Sequence, residues 1–190
     1  MATLAPERGQ RWDDIVRQVG REYQALPATE RTWISLALVR IATLQVELDG
    51  LFCGASGEGL CADCAGACCA KGHNHATLTT LLMFLDRDVA PPAADFTRTC
   101  PWLGEQGCVL AADSRPYNCI TFVCDKIEQR LTAAELHRFY QLDRELRACY
   151  QAFADRYPGA GMTGLLLRAA RLEGRSFFDC RAEITSQESI

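Results

Sequence analysis

The sequence predicts a mainly α-helical protein, with helices packed around an irregular cysteine-rich metal-binding core and at most a short β-hairpin. Three observations carry that expectation. Apolar residues recur at three- and four-residue spacing in several runs that begin with capping residues. No alternating apolar–polar run is long enough to define a sheet. Nine of the eleven cysteines fall in two segments without such periodicity, 52–75 and 96–125. With 190 residues, 48% of them hydrophobic, the chain can bury one core. The expected organisation is a single domain over 1–190, with a cysteine-cluster region at 52–125 between helical segments at 10–50 and 130–175.

The elements follow in order. An amphipathic stretch from Arg11 to Tyr23 opens the helical series. Thr29 then caps a helix that carries Trp33, Ala37, Ile41, Leu44 and Leu48, and Gly50 is its expected stop. Thr77 starts another, through Leu78, Leu81, Leu82, Leu85 and Val89, which Pro91-Pro92 halts. The strongest signal is Thr132-x-x-Glu135, a capping box in which each side chain satisfies a backbone amide of the helix start. Leu136, Phe139, Leu146, Tyr150, Phe153 and Tyr157 continue that helix up to Pro158-Gly159. A shorter helix is expected from Met162 to Leu172, before Gly174. The β-rich fragments "CVL" and "CITFVC" are the candidates for the hairpin.

Charge and composition narrow the function. A net charge of -4 and a pI near 5.4 leave no basic face for nucleic acid or an anionic membrane. The arginines that gather between Arg138 and Arg181 read as helix surface. The opening "MATLAPERGQRWDD" lacks the apolar stretch of about 7–15 residues that export requires. No run approaches the roughly 18 apolar residues of a membrane span. The expectation is a cytoplasmic protein, in a compartment that keeps thiols reduced. Eleven cysteines there point to metal rather than disulfides.

The first cysteine group is Cys61-x2-Cys64-x3-Cys68-Cys69, and the second is Cys100-x7-Cys108-x10-Cys119-x4-Cys124. Gaps of two and three residues let a backbone curl so that several sulfurs face one centre. Adjacent Cys68 and Cys69 project differently, so only one of them suits a given ion. Eight cysteines fill two four-sulfur sites, or one site with spare thiols. Structural zinc prefers two Cys-x2-4-Cys knuckles, and only Cys61/Cys64 fits that closely. Iron–sulfur proteins accept looser spacing, and Ala62, Ala65, Gly66, Ala67 and Ala70 are small enough to close over a cluster. A 4Fe–4S cluster is therefore favoured, with zinc as the alternative. Cys149, on the apolar face of the capped helix, reads as a small buried hydrophobe. Cys53 and Cys180 are possible spare ligands. His73 and His75 could finish a zinc site, but alternate residues flanked by Gly72 and Asn74 also make a solvated turn, which is the favoured reading. No catalytic nucleophile arrangement is defined.

Together the two segments resemble a known family, the zinc- or iron-chelating cysteine-cluster proteins with a C-x2-C-x2-CC signature, which include the YkgJ-like proteins. "CADCAGACC" matches the clustered group, and "CPWLGEQGCVLAADSRPYNCITFVC" matches the Cys-Pro-aromatic-Leu, Cys-x-hydrophobic and Arg-Pro-x-x-Cys elements that follow. The matching positions are Cys100, Pro101, Trp102, Leu103, Cys108, Arg115, Pro116, Cys119 and Cys124. The resemblance spans Cys61 to Cys124, about a third of the chain. Two features depart from it: the gap before Cys68-Cys69 is one residue longer, and Ile120 stands where arginine is frequent. The family is similar in part to flagellin lysine N-methylases, so the resemblance implies methyl transfer as one possible activity. Arg115 has two readings, offsetting the charge of a thiolate cluster or forming a structural ion pair. The functions expected are electron transfer or support of a redox or methyl-transfer reaction, with a redox or protein partner. Zinc implies a structural interaction module instead. Metal storage or delivery is a third class.

Overall fold

The structure is a computed structural model and describes residues 4–64, 67, 69, 75–105 and 107–180. Helix α1 (Leu4–Ala25) begins earlier than its apolar pattern alone suggests. Trp12, Ile15, Val19 and Tyr23 form its buried stripe. Pro27 separates it from α2 (Ala28–Gly54) and occupies the N-cap position expected of Thr29. Gly50 does not stop α2. The left-handed residue that turns the chain is Ser56, with φ 58°.

Helix α2 buries Ile34, Leu38, Ile41, Leu44, Gln45 and Leu48. Its main partner is α7 (Ala133–Arg156), which supplies Phe139, Leu142, Leu146, Tyr150 and Phe153. The two run antiparallel, since ion pairs join Glu30 to Arg156 at one end and Glu47 to Arg138 at the other. The Thr132–Glu135 capping box at the start of α7 is present as expected. At the far end Trp33 packs on Phe153, and Arg156 lies over the Trp33 ring.

Short helices fill the remainder. After α3 (Gly57–Asp63) comes α4 (Leu78–Leu85), whose first six residues are buried. Thr77 and Thr80 cap α4 reciprocally. It ends before Val89, because Asp88 adopts φ 54° and turns the chain ahead of the prolines. Helix α8 (Leu165–Leu172) packs on α1, and its Leu165 N–H donates to the Ala76 carbonyl at 2.7 Å.

The protein is mainly helical, and its sheet among the described residues is one two-stranded hairpin. Strands β1 (Leu103–Gly104) and β2 (Gly107–Cys108) pair antiparallel, with Leu103 opposite Cys108. The expected pairing of "CVL" with "CITFVC" is corrected. A 3₁₀ turn (Ala112–Ser114) leads into α5 (Tyr117–Thr121), and α6 (Asp125–Glu128) follows. Pro116 starts α5 with a fixed φ of -56°. Tyr117 and Ile120, spaced by three, bury one face of it. Packing against the core thus overrides the β-propensity of Ile120 and Thr121, and the chain becomes extended at Phe122. No helix among the described residues is long and apolar enough to cross a membrane.

Candidate metal centre

The second cysteine segment is the better anchored. Cys100 lies in a turn ahead of β1 and is buried. Burial pushes its thiol up, while the nearby backbone amides of Trp102 and Leu103 pull it down. The hairpin explains the seven-residue gap to Cys108. Its ladder continues as the Val109 N–H donates to the Trp102 carbonyl at 2.9 Å, so the chain returns beside its start. Trp102 ties this unit to the core, edge-on to Trp12 at 5.2 Å and donating from Nε1 to the Pro92 carbonyl at 3.2 Å.

Cys119 belongs to α5, held down by Tyr117 and Ile120 and by Gln45, whose Nε2 donates to the Arg115 carbonyl at 2.6 Å. It is open to solvent on one side and crowded by protein on the others. That crowding pushes its thiol strongly up, and charge on Cys108, Cys100 and Cys69 adds to the push. Arg115 pulls the other way. Cys69 of the first segment and Cys100 and Cys108 of the second are thus near enough for their charge to act on Cys119.

Arg115 forms the expected structural ion pair, and its charge also favours the Cys119 thiolate. Its Nη1 donates to Asp49 Oδ1 at 2.9 Å, and its Nε donates to the Leu110 carbonyl at 3.1 Å. The Asp49 pair is 23% and 25% exposed. Cys53 turns toward Asp49 at 3.7 Å, and burial followed by the Asp49 charge pushes its thiol up.

No family profile, curated protein or solved structure matches this chain. The site rests on its own residues. Among those described, no three His, Cys, Asp or Glu side chains stand close enough to hold an ion as they are placed. Cys119 and the three cysteines whose charge acts on it do not form a closed tetrahedron. Cys68 and His73 lie outside the described residues.

The other motif cysteines sit nearby by element. Cys61 is in the last turn of α3 and Cys64 is its C-cap. Helix α3 packs against β2, which carries Cys108, and against α6, which Cys124 caps. Cys149 is half-buried beside the core, and burial pushes its thiol up, in keeping with a packing role. Cys180 is exposed, with its sulfur 3.7 Å from the Phe178 carbonyl.

Two residues bear on the site more closely than the sequence suggests: His75, for which a turn is favoured over a zinc ligand, and Gln45, which no motif singles out. His75 is half-buried, with Nδ1 3.4 Å from the Cys119 sulfur, so it is not the solvated turn expected. Its signal was its place two residues ahead of the Thr77 cap. Gln45 is fully buried on an otherwise apolar helix face, and its amide lies beside the Tyr150 hydroxyl. An apolar hollow elsewhere, between α2 and α4, is lined by Val39, Val46 and Met83 and by no cysteine or histidine.

Proposed function

We propose that the protein holds a cysteine-ligated metal centre on Cys69, Cys100, Cys108 and Cys119, and that the centre is an iron–sulfur cluster. The observation that carries this reading is that Cys69, from the first segment, and Cys100 and Cys108, from the second, all lie near enough to Cys119 for their charge to act on its thiol, although a helix separates the two segments in sequence. The donor set fits. Four thiolates suit a cluster, and the backbone amides of Trp102 and Leu103, which favour the charged form of Cys100, are of the kind that set cluster potential. A bound cluster supplies one-electron transfer, which suits electron transfer or support of a redox or methyl-transfer reaction. Arg115 offsets the negative charge that the thiolates gather. The likeness to the cysteine-cluster family supports the same reading. So do the free thiols, which fit a reducing, cytoplasmic setting. Cys61, Cys64 and Cys124, brought near one another by the packing of α3 on α6, are the candidates for a second centre.

Zinc is the second reading, favoured by His75 beside Cys119, since mixed Cys/His sets are common for structural zinc. Iron, zinc and acid-labile sulfide analysis on protein purified without oxygen tests both. Brown protein with stoichiometric iron and sulfide is expected. Colourless protein with stoichiometric zinc replaces the redox reading with the structural one. Protein that takes up neither metal overturns the centre.

A further inference from the structure

The imidazole–thiol contact joins two segments 44 residues apart, and each is fixed by its own scaffold. His75 precedes Ala76, whose carbonyl is held by the Leu165 N–H, and Thr77, the buried cap of α4. Cys119 is set by the buried face of α5 and by the bond from Gln45 to Arg115. Neither group reaches the other through a long mobile side chain. The contact is built into the backbone.

The distance itself carries chemical information. Two ligands on one tetrahedral ion, with bonds of about 2.3 Å to sulfur and about 2.05 Å to nitrogen, stand roughly 3.5–3.6 Å apart. The observed 3.4 Å is close to that separation. Cys69, Cys100 and Cys108 lie near enough for their charge to act on Cys119. No three donors among the described residues stand at ligand distance as placed, so a bound ion would have to draw two of these sulfurs inward. We propose that His75 is itself a ligand, binding through Nδ1 to the same metal atom as Cys119. The inference rests on the zinc reading of the thiolate centre, because two protein donors on one four-coordinate atom describe a mononuclear site. It makes the donor set mixed rather than all-sulfur. Binding through Nδ1 leaves the Nε2 proton as the donor to an outer partner. One of the four neighbouring cysteines then stands outside the shell of that metal atom.

Cobalt(II) titration of the apoprotein tests the proposal, because its visible ligand-field bands move to higher energy when nitrogen replaces sulfur. The wild type is expected to show tetrahedral bands of a sulfur–nitrogen set. His75→Cys should keep tight binding and move those bands to lower energy, toward an all-thiolate spectrum. His75→Ala should weaken cobalt binding by more than about 100-fold, beyond the 10–100-fold typical of an outer-shell partner. Far-UV circular dichroism and thermal unfolding of each apoprotein separate loss of a ligand from loss of fold. Identical bands in wild type and His75→Cys, or a loss in His75→Ala within the outer-shell range, overturn ligation. A wild type with no thiolate-to-cobalt absorption overturns the centre itself, whatever His75 does.

Discussion

Replacing Arg115 with methionine tests the ion pair that this residue forms and the role proposed for its charge at the centre. The guanidinium makes one bond to the Asp49 carboxylate and one to the Leu110 carbonyl. Hydrogen bonds that involve a charged group contribute about 1.5–3 kcal/mol each. The Asp49 pair is about a quarter exposed, so solvent screening favours the low end of that range. The expected loss is about 2–3 kcal/mol, or roughly 4–12 °C in Tm for a chain of this size. Urea unfolding of the apoprotein, followed by circular dichroism, measures it. Asp49→Asn alone should cost about 1 kcal/mol, and the double variant should cost less than the sum of the two. The same pair separates charge from packing at the centre. Asp49→Asn keeps the Arg115 charge and should retain metal, whereas Arg115→Met should lose it faster to a chelator. A loss below about 0.5 kcal/mol with no coupling would refute the interlock. Equal metal retention in both variants would refute the electrostatic role.

Other outcomes follow from the same geometry. Glu30 is held below the usual carboxylate range, first by the hydrogen bond from Arg156, with Tyr157 also donating. Its stabilising effect is present above the unfolded value of about 4.3 and is lost as pH falls through the lower folded value. Glu30→Gln should therefore flatten the acid limb of the stability curve below about pH 5, and an unchanged limb in urea melts would count against it. Cys119→Ser and Cys100→Ser should lower metal content, whereas Cys149→Ser should keep it and cost about 1 kcal/mol from its half-buried place. Thr132→Ala removes the capping box of α7 and should cost about 1 kcal/mol in the same melts, with metal content unchanged. Stripping metal with a chelator should leave cooperative thermal unfolding and most of the helical signal.

The helices were legible wherever a capping residue met a sustained apolar period. Thr132 and Glu135 marked α7, and Thr77 marked the start of α4. Boundaries set by single left-handed residues were not, because Ser56 and Asp88 carry no sequence mark that distinguishes them from polar surface residues. Gly50 misled for the converse reason, since a glycine permits a stop without requiring one. The stretch after Pro116 has strong β character, and only the buried positions of Tyr117 and Ile120 decide that it is helical. At the site, spacing identified the two cysteine segments. It did not reveal that Asp49 is the partner of Arg115 or that His75 meets Cys119. Those contacts join residues far apart in sequence, and local pattern holds no information about them.

The scaffold beneath the cysteines explains why the fold should outlast removal of the proposed metal. Gln45, Asp49 and Cys53 lie four residues apart along α2 and so share one helix face. The first holds the Arg115 carbonyl, the second its guanidinium, and the third turns to Asp49. The end of α2 thus serves as a plinth for the segment that carries Cys119, while Trp102 fastens the Cys100–Cys108 hairpin to Trp12. None of these contacts uses a sulfur that the centre would need. The buried faces of α2 and α7 form the core without any of the four proposed ligands. A small zinc finger differs, because it lacks such a core and unfolds without its ion. Three of the proposed ligands are therefore positioned by protein contacts, and Cys69 is the one brought to them from the first segment. Metal removal should leave α2 and α7 paired and expose the cysteines to alkylation before global unfolding. Collapse of the whole circular dichroism signal on chelation would show that the metal, rather than the helices, organises the protein.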